Sequence, residues 1–538
     1  MRSTGTALLP FIGAIALLAN EARSRTLSVP TDYKTIQAAI DAATTRDEVV
    51  VSAGTYNERI RLKPGLSLRS AGGSEKGAIG LKRAEQCVID GRGVEKVATP
   101  GVIMAEGATL DGFTVTRVGK YDDANWNKHH ATSGAEQAHE HIGGFGSPAI
   151  GADAVTCDIL NNIVHHNGDT GIALRGDESK TVTPLVKGNV CYRNMGGGIG
   201  IMKGASGLIT GNTCFENFYA GIGHSGASPL VEGNECYQNV RAGIGISEGA
   251  CPVVRKNRCY NNRRAGIGIR SGKTTAPVVI DNDCFENGMA GIGIEDEAAP
   301  TIQNNRCVQN ELAGIGSRAN AQPLIVNNVC RANKAAGIGF EKCEKGVAVV
   351  KGNMLINNRL VAVGVQSGWD VELTGNTLSR EGGLPPMVMV FENARCVLRR
   401  NTITGNGVAG VRVAGTAILS DNVLNGRTIR KSGPPHFGIW ALAGSTVTVS
   451  NCKFQTWRHA LYASGATVKA TDNSARDIAR VAFLIQKPTA PPHLIHNTLY
   501  SDDSKAVAVQ AEGDGALVKS NPVKPIQQEK EKASPPPQ

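Results

Sequence analysis

Two groups of residues in this chain carry side chains suited to chemistry. The first lies in GKYDDANWNKHHATSGAEQAHEHIGGFG, positions 119–146, which holds Asp122, Asp123, His129, His130, His139, Glu140 and His141. Four of the 11 histidines fall between positions 129 and 141, with His165 and His166 following soon after. Imidazole and carboxylate together suit a divalent metal such as Zn or Cu, with His129, His130, His139 and His141 as its ligands. The same segment suits general acid–base work, for which His129, His130, His139, Glu140 and His141 are the candidates, or capture of an acidic sugar. A plainer alternative is a polar loop whose histidines are hydrated or hydrogen-bonded.

The second group is Lys203, His224, Glu248, Arg270, Glu295, Asp296, Arg318, Glu341 and Lys342, each a short way past a Gly-Ile-Gly element. Their spacing predicts one face of successive repeats, where His224, Glu248, Arg270, Glu295, Asp296 and Arg318 would line a mixed-charge groove for a polysaccharide. Closely spaced carboxylates there are also suited to glycoside cleavage. The alternative is a ladder of hydrated ion pairs, each worth about 0.2–1 kcal/mol.

The elements that hold these residues are repeats. Asn189, Asn212, Asn234, Asn257, Asn282, Asn305 and Asn328 recur at spacings of 22 to 25, each followed two positions later by a cysteine, from Cys191 to Cys330. A second asparagine, from Asn194 to Asn333, comes five positions after the first, and then AGIG, or GGIG in the first copy. A period near 23 with short apolar runs, glycine at corners and asparagine at turns predicts an all-β fold, a parallel β-helix with three strands and three turns per rung. No helical run fits between the glycines and asparagines. Equivalent residues of stacked rungs lie about 4.8 Å apart, so each column of the alignment becomes a ladder.

The cysteine column and the isoleucines Ile199, Ile222, Ile244, Ile267, Ile292, Ile315 and Ile338 are expected in the core. The asparagines are expected in turn ladders that satisfy buried backbone groups. Of 13 cysteines, the seven in the column suit reduced core thiols. Disulfides among Cys87, Cys157, Cys251, Cys343, Cys396 and Cys452 are the alternative, and no CxxC pair favours a metal. The column of Tyr192, Phe215, Tyr237, Tyr260 and Phe285 is either a packing ladder or a sugar-stacking strip. Ile36, Ala39, Ile40 and Ala43 predict a short helix covering the amino-terminal end of the solenoid, with Glu48–Val51 beginning the first strand.

Positions 1–24 have the form of a secretory signal peptide, with an apolar core too short to cross a bilayer; an uncleaved anchor is the alternative. No later segment is apolar enough for a membrane helix, so the expected mature chain has no integral membrane segment and is secreted or periplasmic. The solenoid is expected over 25–512, interrupted by the loop at 119–146, with a disordered tail at 513–538. A net charge of +10 favours acidic partners. Lys and Arg are scattered without a basic run, as on a merely solvated basic surface, which is the plainer alternative; the partner expected is an acidic polysaccharide, and no nucleic acid is expected.

These residues resemble the right-handed parallel β-helix superfamily, particularly its carbohydrate-binding and sugar-hydrolase type and the NosD-like periplasmic proteins associated with copper. The opening TIQAAIDAA and VVVSAGTYNERI resemble the cap shared by pectin methylesterases and NosD-like proteins, and the resemblance covers about positions 28–510. Gly54, Tyr56 and Glu58 match the GxYxE element of pectin methylesterases, but the segments supplying that family's catalytic aspartates are missing. The polygalacturonase elements and the Asp-Pro-His signature of alginate epimerases are missing too. The resemblance therefore implies a fold and leaves turnover open. The leading expectation is an exported protein that binds an extended acidic polysaccharide, with processing by the histidine-rich loop. The alternatives are NosD-like handling of copper and a non-catalytic structural or adhesive surface solenoid.

Overall fold

The structure is a computed structural model and describes residues 24–93, 99–137, 146–177 and 179–528. One rung shows the plan. Leu230–Glu232, Glu235–Tyr237 and Ile244–Ser247 are three short strands separated by bends. Each pairs in parallel with its equivalent one rung on, namely Val253–Arg255, Arg258–Tyr260 and Ile267–Ile269. Stacking generates three parallel sheets of 20, 18 and 19 strands. They are called here the first sheet, containing Val231, the third, containing Ile244, and the second, containing Cys236.

Strands of three or four residues turn alternate side chains inward, and the inward columns make a single continuous core. Val231, Val254 and Val279 line it from the first sheet, Cys236, Cys259 and Cys284 from the second, and Ile244, Ile267 and Ile292 from the third. The seven cysteines pair in register from Cys191 to Cys330. All seven are free thiols shut away from solvent. Burial pushes the thiols of Cys191 and Cys236 well up, and the column is a stack of small thiols packed one on another.

The bends are held by asparagine. Asn234 donates through Nδ2 to the Ile209 carbonyl at 2.9 Å and to Oδ1 of Asn257 at 3.0 Å, while its own Oδ1 accepts the Asn212 backbone N–H at 2.9 Å. Asn239 does the same at the next bend, donating to the Cys214 carbonyl and to Asn262. Each amide thus satisfies donors and acceptors on neighbouring rungs that a buried corner would orphan. The residue ahead of each asparagine takes the strain: Gln238, Asn261 and Glu286 have φ of 53°, 52° and 54°.

Helix α1, Ile36–Ala42, is capped by the Thr35 hydroxyl and buries Ile36, Ala39 and Ile40 against the first rungs. One expectation shifts. The first strand is Thr26–Val29, paired with Glu48–Val51, so the chain enters the sheet before making its covering helix. A short α2, Lys82–Gln86, follows, fixed by Arg83 Nη2 to Asp111 Oδ1 at 2.7 Å. At the other end the coil runs past the expected boundary at 512. Leu517–Lys519 and Val523–Lys524 still pair with the preceding rung, and Asn521 still accepts from Asn497. The polar composition of that segment hid a rung held by backbone pairing. Among the described residues no helix is long and apolar enough to cross a membrane. The leader expected at 1–24 lies almost wholly outside the described residues, as does the tail beyond 528.

Candidate binding trough

The AGIG element contains two glycines with opposite physical status. A Cβ on the first would collide with its neighbours. On Gly243 it would lie 2.7 Å from the Gly266 carbonyl oxygen and 2.8 Å from Asn262 Nδ2, and on Gly266 it would lie 2.7 Å from the Gly291 oxygen. Only glycine lets these rungs stack. The second glycine alternates outward between two buried isoleucines, as Gly245 does between Ile244 and Ile246. A Cβ there meets nothing within 4 Å at Gly223 and only alanine methyls at 3.5–3.7 Å at Gly245, Gly268, Gly293 and Gly316. Sterics leave room for a side chain in five successive rungs, and none is present.

The result is a bare strip of backbone along the third sheet, the floor of a cavity of about 420 Å³. One wall is the column Tyr219, Arg241, Arg264, Met289 and Leu312, joined rung to rung by bonds such as Arg264 N–H to the Arg241 carbonyl at 3.3 Å. The other is Ser247, Arg270, Glu295, Arg318 and Glu341. Four guanidiniums therefore face two carboxylates, and Glu295 is bound by Arg318 on the next rung. Arg241 is only 8% exposed. Burial, followed by the nearby Arg264, lowers its pKa to about 10, and burial also lowers Arg264.

Of the residues expected along this face, Arg270, Glu295, Arg318 and Glu341 line the trough. His224 occupies the inward position of its strand, in register with Ile201 and Ile246, and is 3% exposed. Its ring lies beneath the floor, donating from Nδ1 to the Gly245 carbonyl at 2.9 Å, and burial pushes it down to about 4. Strand alternation explains the difference: in GIGHS the histidine replaces the isoleucine of GIGIS, one position before the wall. Glu248 and Asp296 stand one residue past the wall, in left-handed turn positions with φ of 56° and 54°.

The histidine-rich insertion runs beside the same wall. Helix α3, Asp123–Ala131, is N-capped by Asp122 and seats Trp126 against Met195, Phe218 and Val240. The Trp126 indole N–H donates to the Glu216 carbonyl at 2.7 Å, and the Arg193 guanidinium lies 4.4 Å from its ring centroid. His129 meets Phe218 edge-on at 5.2 Å, and His130 stacks on Trp126 at 4.4 Å. Burial lowers both histidines. His139, Glu140 and His141 lie outside the described residues. Among the described residues no three His, Cys, Asp or Glu side chains converge as a metal would require. His165 and His166 do meet, Nδ1 to Nδ1, at 2.8 Å, with His165 held down at about 4 by burial.

The docking of α3 had a sequence signal that periodicity alone passed over. The residue after the second asparagine is apolar at Met195, Phe218 and Val240, then Arg263, Gly288, Glu311 and Lys334. The apolar part of that column is the part the helix covers.

Residues 149–298, 252–378 and 381–523 match the model of the right handed beta helix region. The chain belongs to that family. No curated protein matches it. Among solved structures, the Azotobacter vinelandii mannuronan C-5 epimerase AlgE4 A-module is similar at 12% identity and a TM-score of 0.29, covering 89% of this chain and 95% of that one. A mutant of the periplasmic alginate epimerase AlgG is similar at 12% identity and a TM-score of 0.35, covering 79% and 82%. The catalytic unit of a GH87 alpha-1,3-glucanase from Streptomyces thermodiastaticus is similar at 11% identity and 0.28, covering 93% and 70%.

Proposed function

We propose that this β-helix binds an extended acidic polysaccharide along the trough, in the secreted or periplasmic space to which its apolar leader directs it. The observation carrying this reading is the bare column from Gly223 to Gly316, where side chains fit and are missing. Glycine inside a strand costs about 0.5–1 kcal/mol relative to alanine, and it marks places where another backbone or a ligand approaches closely. At about 4.8 Å per rung the four steps from Gly223 to Gly316 span about 19 Å, a shape for a chain and not for a compact metabolite. The excess of guanidinium over carboxylate on the walls favours an anionic chain, since arginine presents a planar fork to oxyanions. Tyr219, Met289 and Leu312 supply apolar surface for the C–H faces of sugar rings. Binding is what these groups support: one of the two wall carboxylates, Glu295, is engaged by Arg318.

Affinity chromatography on immobilised alginate or pectate, with neutral dextran as control, tests the reading at about 0.15 M salt. Retention on the polyuronates and loss of that retention in Gly245→Tyr/Gly293→Tyr, with an unchanged melting temperature, is the expected result. Passage of the native protein through every acidic column, or full retention of the double variant, defeats it.

A further inference from the structure

We propose that the trough contains, over Gly245 and Gly268, a subsite for a tetrahedral oxyanion carried by the glycan, a sulfate or phosphate ester. The inference rests on the trough being a glycan site and goes beyond it by naming the substituent. Three arginines border the subsite from two walls. Arg241 and Arg264 stand on consecutive rungs of one wall, linked by the Arg264 N–H to Arg241 carbonyl bond at 3.3 Å. Arg270 rises from the opposite wall, anchored by its backbone N–H to the Ile246 carbonyl at 3.0 Å. All three line the same cavity.

Their charges act on one another. Arg241 is destabilised as a cation by Arg264 and Arg270, and Arg264 by Arg318 and Arg270, while Glu295 relieves Arg264. Ser247, a neutral residue, precedes Arg270 in its wall column, and the next carboxylate on that wall, Glu295, already holds Arg318. Positive charge is thus concentrated on two rungs, about 4.8 Å of the axis.

The geometry points to the class of anion. A carboxylate is planar and holds its acceptor sites in that one plane, so guanidinium forks meet it only edge-on within the plane. The terminal oxygens of a sulfate or phosphate ester diverge, so donors from both walls can be engaged at once. The bare floor lets such a group settle between them, because no Cβ stands on Gly245 or Gly268.

The native protein, Arg270→Gln and Arg270→Lys are titrated with dextran sulfate, phosphorylated dextran, polygalacturonate of matched charge density and plain dextran. Arg270 is exposed, so its replacement leaves the core untouched. The ester-bearing chains are expected to bind at least about tenfold more tightly than polygalacturonate, a difference of about 1.4 kcal/mol. Arg270→Gln should erase that preference: affinity for the ester-bearing chains should fall at least about tenfold more than affinity for polygalacturonate, which loses one of the four wall guanidiniums but no tetrahedral contact. Arg270→Lys should recover only part of it, since an ammonium restores charge without the fork. Preference for the phosphorylated over the sulfated chain supports the subsite and names phosphate as its ligand, and the reverse names sulfate. Equal affinity for esters and polygalacturonate, or equal losses on all acidic chains in Arg270→Gln, overturns the subsite and leaves the glycan reading standing. Absence of binding to every acidic chain overturns both.

Discussion

The second and third sheets are built from the same repeat and present opposite surfaces. On the second, the outward column is filled and satisfied within itself. Tyr192, Phe215, Tyr237, Tyr260 and Phe285 stack at 4.8–5.0 Å with interplanar angles of 2–10°. Beside them Arg258 pairs with Glu235 and Arg306 with Asp283 one rung away. Ring faces cover one another and charges cancel, so that surface is a packing ladder, with little left to offer a ligand. On the third sheet the equivalent column is empty and the flanking charges do not balance. Repetition alone therefore does not mark a scaffold. What matters is whether a repeated column meets its own needs.

The comparison can be broken first at the ladders that both sheets share. Asn262→Leu would take a partner from the buried Cys236 carbonyl, the Asn239 N–H and the Asn239 side-chain amide, while Asn287 Oδ1 would keep the backbone N–H of residue 262. At about 1–3 kcal/mol for each of these three groups the loss should be at least about 3 kcal/mol by urea denaturation. A loss under about 1.5 kcal/mol would remove the ladders as the basis of the fold.

Next comes the floor from below. His224 has its pKa lowered to about 4 by burial, against an ordinary value of 6.5. Between those values the unfolded chain takes up a proton that the folded chain does not, so stability falls as pH drops from about 6.5 to 4 and is unaffected above. His224→Ile, matching Ile201 and Ile246 in register, should remove on the order of 3 kcal/mol of that fall between pH 7 and pH 4, leaving the share of other buried histidines such as His165. Parallel curves for the two proteins would show the ring to be hydrated.

The two glycines give the sharpest contrast. Gly266→Ala should cost about 1–3 kcal/mol, since its Cβ would overlap the Gly291 carbonyl and Asn287 amide. Gly268→Ala, two residues away, should gain about 0.5–1 kcal/mol. Matching losses in thermal or chemical melts would make the bare strip a structural necessity and end its use as evidence for a ligand. Smallest is the hydrated ion pair of the second sheet: Arg306→Gln should change stability by less than about 1 kcal/mol and glycan retention not at all.

Much of this architecture could be read from the sequence because a column repeated seven times states its own environment. Cysteine, isoleucine and asparagine each recur at the position their chemistry requires, and the short helix at Ile36 announces the covered end. The trough was less legible for two reasons. Its floor is made of glycine, which reads as a corner residue until coordinates separate Gly243, hemmed in by a carbonyl, from Gly245, with open space outside. Its walls depend on strand parity, where one position separates buried His224 from wall residues such as Arg270. The histidine-rich insertion was visible as an interruption, but its seat was encoded elsewhere, in Met195, Phe218 and Val240.

A floor that looks the same at every rung has a consequence for movement. A long ligand advanced by one step meets an almost identical bed, so the floor alone sets little barrier to sliding. The walls differ from step to step, cationic around Arg241 and Arg270 and greasy beside Met289 and Leu312. If the proposed glycan lies in it, such a surface would let the polymer thread freely until its substituents fall into phase with the side walls, and it is there that the chain would pause.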